Sequence, residues 1–323
     1  MPDTTLRPLI GVDIGGTAIK AAVCDERGRV LGRGKAKTGA DEGTKEILRR
    51  IDRAINTACD EAGIKPADAA AAGVAAPGAV DRRQGIVLEA VNLGWQNYEL
   101  QEVMEDRLKV PVAIENDVTA ATYGENRFGA GEQSAHLLGV WLGTGIGGGL
   151  ILNGKIYHGH FSTAGEIGRG YVLPWAPPGS GSLDQVCSRT GVAETIRRML
   201  KSGRTSRITD LCDDPANISS KEIAKAVSLG DELVTEVVEH AAGILGTALG
   251  GMVTFLSLGR IVIGGGFAEA LGEPFLESVR VAARKTAFPD RCKEVQIVAS
   301  RLGDDAGPVG AAVAAIEWIG HAD

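Results

Sequence analysis

The sequence predicts an α/β protein made of two similar domains that face each other. The chain has 323 residues, which is more than one hydrophobic core usually supports. It opens with a strand, a glycine turn, a second strand, a tight turn and a third strand. The same order returns from residue 136 onwards, so the chain carries an approximate internal repeat. One copy of the repeat in each half indicates a duplicated domain.

The first half begins with a strand meander rather than with a strand and a helix. Its turns are Ile14-Gly15-Gly16-Thr17 and Asp25-Glu26-Arg27-Gly28. Apolar residues at helical spacing predict a helix over Thr44–Gly63, with Gly63 ending it. The other predicted elements of this half are strands Pro8–Asp13, Ile19–Cys24, Arg29–Gly32, Ala70–Ala76 and Val110–Ile114, and a helix over Val118–Phe128.

The second half repeats this opening and continues with helices. Strand His136–Leu142 leads into a predicted turn over Gly143–Gly149, and Asn153-Gly154 is a strong hairpin signal. The other predicted elements are strands Leu150–Leu152 and Ile261–Ile263, helices Val192–Lys201, Lys221–Gly230 and Val309–Ile319, and Asp231–Leu258 as one helix or two. We expect an N-terminal domain over residues 1–125 and a C-terminal domain over 126–323, with the last helix packing back on the first domain.

Composition indicates which classes of partner to expect and in which cellular compartment the protein works. The net charge of −7 argues against a nucleic-acid surface, which needs a basic patch. The five cysteines are widely spaced and lack a CxxC pair, so neither a disulfide framework nor a thiolate metal site is expected. The start of the chain lacks a signal-peptide core, and the charge-free stretch Ala241–Gly259 is interpreted as a buried helix rather than a membrane span. We therefore expect a cytoplasmic protein without membrane partners.

The first glycine turn is a candidate phosphate site. Gly15 and Gly16 allow backbone amides to approach a phosphate without Cβ interference, and Thr17 adds a hydroxyl donor. Asp13 at the strand end is suited to hold a hydrated Mg²⁺ ion, which uses few carboxylates and keeps its waters. An ordinary glycine hairpin explains this segment about equally well.

The returning repeat supplies a second candidate loop. Gly143-Thr144-Gly145 would face the first loop and complete a phosphate clamp between the domains. Gly265 and Gly266 follow a strand and lead towards a helix, which suits a nucleoside or its phosphates. Tight strand-to-helix packing is the alternative for these two glycines.

Polar residues at a strand end form the third candidate constellation, which contains Asn92, Glu115-Asn116-Asp117 and Glu166. A strand leading into a helix places Asp117 at the helix N-terminus, at the edge where ligands bind in α/β sheets. The helix dipole favours an ionised carboxylate there, aimed at a hydroxyl, which is what phosphoryl transfer requires of a base. The competing interpretation is that Asp117 only caps the helix.

Together these segments resemble the ROK family of sugar kinases and repressors, within the actin/hexokinase class. The resemblance implies two ribonuclease-H-like domains with a central cleft that holds ATP and a sugar. It implies that Asp117 is the catalytic base and that Asn92, Asn116 and Glu166 bind the sugar, with Gly78 close by. The matching segments are Gly11–Thr17, Ala76–Asp81, Asn92–Trp95, Glu115–Asp117, Gly143–Gly149, Ala164–Gly168, Gly264–Gly266 and Ala306–Ala312.

The chain departs from the family pattern where family glucokinases bind a structural zinc ion. The family continues with a zinc-binding His and three cysteines, and the His and a later Glu also touch the sugar. Here the aligned positions are Arg169, Trp175, Pro177, Ser182 and, for the Glu, Asp184. Zinc needs thiolate or imidazole ligands, so we expect none at this site. Arg169 either binds the sugar, favours an anionic or unusual substrate, or pairs with Asp184 or Glu166.

The resemblance implies an ATP- and Mg²⁺-dependent hexose kinase, with glucose converted to glucose 6-phosphate as the favoured reaction. Alternatives are a kinase for another sugar, such as an N-acetylhexosamine or fructose, and a sugar sensor that keeps the fold without catalysis. The expected partners are a small sugar and a nucleotide, and the expected assembly is a homodimer or homotetramer. Nucleic acid is not an expected partner.

Overall fold

Two five-stranded sheets of the same topology form the framework of the molecule. The computed structural model describes residues 7–177, 180–212, 214 and 217–319. In chain order the strands are β1 Leu9–Ile14, β2 Ala18–Cys24, β3 Val30–Lys37, β4 Ala71–Ala76, β5 Ala79–Asp81, β6 Ile86–Ala90, β7 Trp95–Tyr98, β8 Val112–Asn116, β9 Leu137–Leu142, β10 Ile146–Leu152, β11 Lys155–Ile156, β12 Arg260–Gly264 and β13 Gln296–Ala299.

The strand orders confirm the internal repeat. The first sheet runs β3-β2-β1-β4-β8 and the second runs β11-β10-β9-β12-β13. In each sheet three antiparallel strands come first, and two parallel strands follow. Strands β5, β6 and β7 form a separate small sheet. The molecule therefore has the predicted α/β architecture of the actin/hexokinase class.

Ten α-helices surround these sheets in the described part of the chain. They are α1 Thr44–Ala62, α2 Leu100–Leu108, α3 Asp117–Phe128, α4 Leu183–Cys187, α5 Arg189–Lys201, α6 Ile208–Leu211, α7 Ser220–Ser228, α8 Glu232–Leu256, α9 Gly266–Thr286 and α10 Ala306–Ile319. Helix α1 ends at Gly63, as predicted, where a left-handed backbone with φ of 70° is suited to glycine. Helix α9 is kinked at Gly272.

Helix α10 returns from the second sheet to lie on the first. A Cβ atom at Gly11 in β1 would come within 1.8 Å of the Pro308 carbonyl, and one at Gly73 in β4 within 1.9 Å of the Ala311 carbonyl. Glycine at these positions lets the helix backbone approach the strands closely. The limits of the two domains, 1–125 and 126–323, remain a prediction.

Strand β10 corrects the predicted glycine turn. Gly147, Gly148 and Gly149 lie within the strand rather than in the turn. A Cβ atom at Gly147 would lie 2.5 Å from Val118, and one at Gly149 would lie 2.3 Å from the Thr122 hydroxyl. Gly147 and Gly149 are needed here because helix α3 packs directly on this strand, and Gly148 is needed because a Cβ atom there would lie 2.6 Å from the Gly165 carbonyl.

The long apolar helix α8 is a single helix. Among the described residues it is the one helix long and apolar enough to cross a membrane, and 50% of its most apolar 18-residue stretch is buried. Gly246 and Gly250 face helix α9, because a Cβ atom at either would come within 2.5 Å of the carbonyl of Val279 or Ala283. The small residues of this stretch thus pack one helix of this chain against another.

Candidate active site

A cleft of about 820 Å³ collects most of the predicted site residues. It lies where β8 ends, beside the turn between β9 and β10. The predicted residues that line it are Gly78, Asn92, Asn116, Asp117, Gly143, Thr144, Gly145, Glu166, Arg169, Asp184 and Gly265. A larger groove of about 1030 Å³ lies between α8 and α9, but no predicted site residue lines it. The chemically relevant space is therefore the smaller cleft.

The first glycine turn lies beside this cleft rather than in its lining. A Cβ atom at Gly16 would lie 3.7 Å from the side-chain nitrogen of Asn92, which does line the cleft. The Gly15 carbonyl accepts a hydrogen bond of 2.5 Å from the Thr38 hydroxyl. Asp13, Thr17 and Gly266 are also absent from the lining. The turn is thus held in place next to the predicted sugar ligand Asn92.

The end of β8 fixes Asp117. Asn116 caps helix α3, since its side-chain oxygen accepts from the Thr119 amide at 2.9 Å. Its side-chain nitrogen donates to the Gly78 carbonyl at 3.1 Å and to Oδ1 of Asp117 at 3.0 Å. The same Oδ1 accepts from the Val118 amide at 2.9 Å. Asn116 therefore performs the capping role, and Asp117 is the first residue of the helix.

Burial tunes the acidity of Asp117. It is the largest of the influences that together raise the pKa of Asp117 from an ordinary value of 3.8 to about 7. The charges of Asp13 and, more weakly, Glu166 act in the same direction as burial, whereas the Val118 amide opposes them. A general base works best when its pKa lies near the operating pH. Asp117 is therefore suited to accept a proton near neutral pH.

Two other acidic groups of the site have raised pKa values. Burial raises the pKa of Asp13 to about 6, the charge of Lys20 opposes this, and Asp304 adds to it. Burial also raises the pKa of Glu166, which Arg169 lowers and Asp184 raises. The carboxylates of the site thus influence one another across the cleft.

The second glycine loop is anchored by the start of helix α5. The Arg189 amide donates to the Gly143 carbonyl at 3.0 Å, and the Thr190 hydroxyl donates to the Thr144 carbonyl at 2.7 Å. The Arg189 guanidinium also reaches the Thr144 hydroxyl at 3.3 Å. Arg189 is a cation beside a candidate phosphate loop, and no motif in the sequence points to it.

Asp184 and Arg169 do not form the pair considered from the sequence. Asp184 Oδ1 accepts from the Ile146 amide at 2.6 Å, so this carboxylate supports the second glycine loop. Arg169 is exposed, lines the cleft, and makes no ion pair with any residue that the structure describes. Its guanidinium is available to a ligand in the cleft.

The described residues can be searched for groups that could bind a metal ion. No cluster of three or more His, Cys, Asp or Glu side chains within them could hold a metal ion. Residues 178 and 179, in the loop aligned with the family zinc site, lie outside the described residues. Asp13 is a single half-buried carboxylate beside a glycine turn, which fits Mg²⁺ held together with substrate phosphates.

Comparisons with known proteins found relatives that match nearly the whole chain. The ROK family model matches residues 9–317. A glucokinase from Halalkalibacterium halodurans is 32% identical over 306 residues, covering 93% of this chain and 92% of that protein. A glucokinase from Thermotoga maritima is 31% identical over 317 residues, covering 97% and 98%. The crystal structure of a ROK family glucokinase from Streptomyces griseus with glucose and AMPPNP superposes with a TM-score of 0.84, at 31% identity, covering 96% of this chain and 99% of that one.

Proposed function

This chain belongs to the ROK family, and from that premise we propose that it is a sugar kinase that phosphorylates glucose with ATP. The observation that carries the proposal is the position of Asp117. This half-buried carboxyl, with its pKa raised to about 7, lines a cleft that one glycine loop enters and another adjoins. The relatives that match nearly the whole chain are glucokinases, which supports glucose as the substrate.

In the proposed reaction Asp117 accepts the proton of the attacking sugar hydroxyl. The hydroxyl oxygen forms a bond to the terminal phosphorus of ATP, and the bond from that phosphorus to the β-phosphate oxygen breaks. ADP leaves with the electron pair, and glucose 6-phosphate is the product. The protein has little covalent chemistry to perform, so positioning and electrostatic stabilisation supply most of the acceleration.

We assign the sugar contacts and the phosphate contacts to two sets of residues in and beside the cleft. Gly78, Asn92, Asn116, Glu166, Arg169 and Asp184 are the proposed sugar-binding residues. The two glycine loops and Gly265-Gly266 are the proposed nucleotide-binding residues, with Thr17 and Thr144 as hydroxyl donors. Each loop offers backbone amides that can neutralise phosphate charge without a basic side chain.

Magnesium is the proposed metal of the reaction. Asp13 would hold it through bound water, next to the phosphates that the first glycine turn binds. When bound, the ion would neutralise charge that develops on the transferred group. No zinc is proposed for the loop that contains Trp175, Pro177 and Ser182.

We further propose that the enzyme acts in the cytoplasm as a homodimer or homotetramer and feeds glucose into glycolysis. Nucleic acid and membranes are not among its proposed partners. The long apolar helix α8 packs against α9 within this chain, which supports the last point.

A substrate panel tests the proposed function. Purified protein is mixed with Mg²⁺, with either ATP or polyphosphate, and with glucose, fructose, mannose and N-acetylhexosamines. We expect glucose with ATP to give the highest rate of phosphate transfer. A higher rate with another sugar would change the substrate, and calorimetric sugar binding without any transfer would support the sensor alternative. A panel with neither transfer nor binding would overturn the proposal.

A further inference from the structure

We propose that His158 and Glu115 form a pair that positions Asp117 for the transfer, an inference that rests on the function proposed above. Glu115 lies at the end of β8, two residues before Asp117. His158 follows β11, in the segment that leads to Glu166. The pair therefore joins the strand that carries the base to the segment that carries a proposed sugar ligand.

Glu115 is a buried carboxyl with both oxygens in use. The residue is 3% exposed. Its Oε1 accepts from the Asn116 amide at 2.8 Å, and its Oε2 lies 2.7 Å from Nε2 of His158. A carboxylate only accepts hydrogen bonds, so Nε2 of His158 carries the proton. Burial makes such a charge-assisted bond costly to lose, because the remaining carboxylate oxygen would have no partner.

The surroundings of His158 restrict its ring. The His158 side chain is 16% exposed, and its ring meets the edge of Trp318 in α10 at a centroid distance of 6.5 Å. The guanidinium of Arg82 lies over the Trp318 ring, 5.4 Å from its centroid. The His158 carbonyl also accepts from the Ala164 amide at 3.1 Å. Backbone and ring contacts thus hold His158 where it meets Glu115.

Glu115 connects this pair to the proposed base Asp117 through Asn116. Glu115 binds the amide of Asn116, and Asn116 in turn binds Oδ1 of Asp117 and the Gly78 carbonyl. Loss of the His158 donor would release one end of Glu115 and loosen this chain of hydrogen bonds. A shift of about 1 Å at a reacting group can lower a rate by about a hundredfold. His158 does not touch the reacting atoms in this scheme, so it is a positioning residue.

Three variants test the inference. His158→Leu removes the donor, and His158→Gln keeps an amide N–H close to the position of Nε2. His160→Leu is the matched control, because His160 is exposed in the same segment and does not line the cleft. We expect kcat/KM for the sugar to fall about tenfold or more in His158→Leu, to stay within about threefold in His158→Gln, and to stay unchanged in His160→Leu.

The measurements distinguish a positioning role of His158 from an effect on protein stability alone. KM for ATP should change by less than about twofold in all three variants, since the hydrogen bonds of His158 lead through Glu115 to Asn116 and Asp117 rather than to the glycine loops. Thermal unfolding of each variant is recorded, and kinetics are measured well below its midpoint. Equal kcat/KM losses in the Leu and Gln variants, or a His158→Leu enzyme as active as the parent, would overturn the inference. A parent protein without sugar-dependent transfer would instead overturn the proposed function, and this inference with it.

Discussion

At the scale of single residues, the proposed chemistry centres on Asp117. Its Oδ1 is bound by the Asn116 side chain and the Val118 amide, and burial raises its pKa to about 7. The sequence predicts the base and its Asn116 neighbour from the strand end and the family motif. It cannot predict the pKa, which depends on burial and on Asp13 from a different strand.

The raised pKa of Asp117 predicts a pH dependence of the reaction. The base must be ionised in the free enzyme, so kcat/KM for the sugar should fall about tenfold per pH unit below about pH 7. Initial rates from pH 5.5 to 8.5 at low sugar concentration measure this dependence. A profile that stays flat below pH 7 would contradict the role of Asp117.

The same pKa predicts a gain in stability on Asp117→Asn. The folded-state pKa of about 7 lies above the ordinary value of 3.8, so ionising this half-buried group costs stability as pH rises between those values. Asn retains an oxygen for the Val118 amide and carries no charge. At pH 8 the variant should unfold at a higher temperature than the parent, and the gap should narrow as the pH falls towards 4. A variant that unfolds at a lower temperature at pH 8 would show that ionised Asp117 is not destabilising.

At the scale of elements, glycines determine how helices meet the sheets. Patterning of apolar residues and glycines predicts α1, its end at Gly63 and the repeated meander. It does not predict that Gly147–Gly149 continue a strand, because the need for glycine arises from α3 and from the Gly165 carbonyl, which pack against this strand. The small sheet β5–β7 also escapes prediction, since its strands are three to five residues long and pair only with one another.

A pair of glycine substitutions tests this packing. A Cβ atom at Gly310 in α10 would lie 1.8 Å from the Ala120 carbonyl of α3, whereas one at Gly251 in α8 would meet nothing within 4 Å. Gly310→Ala should lower the free energy of unfolding by about 1–3 kcal/mol through overpacking. Gly251→Ala should raise it by about 0.5–1 kcal/mol, because Ala is the better helix former. Denaturant titration of both variants measures the difference, and equal effects would contradict the close approach of α10 to α3.

At the scale of the whole molecule, the chain passes between the two sheets after α3 and again before α10. The buried carboxylate of Glu125 accepts hydrogen bonds from both connections. Glu125 Oε2 accepts from the Ala130 amide at 2.7 Å, and Oε1 accepts from the amides of Arg301 at 2.8 Å and Leu302 at 2.6 Å. The residue is fully buried. The sequence predicts two duplicated halves but not these hydrogen bonds, because Arg301 and Leu302 lie more than 170 residues after Glu125.

Glu125→Leu should therefore be strongly destabilising. Three amides would lose their acceptor in a buried place, at a cost of about 1–3 kcal/mol for each group left unpaired. Glu132→Gln is the control, because Glu132 is an exposed carboxylate in the same connection, paired with Arg260. Its loss should cost less than about 1 kcal/mol. Urea unfolding measures both free energies. A Glu125→Leu variant as stable as the control would contradict a stabilising role of the Glu125 hydrogen bonds.

The most direct test of the account is glucose-dependent ADP release by the parent protein and by Asp117→Asn, measured at pH 8 with ATP and Mg²⁺. Calorimetry on the same samples checks that both proteins bind glucose. The account predicts rapid release by the parent and a rate about 10²–10⁴-fold lower in the variant, with glucose binding retained. Comparable rates in the two proteins would contradict the assignment of Asp117 as the base, and no glucose-dependent release by the parent would contradict the kinase itself.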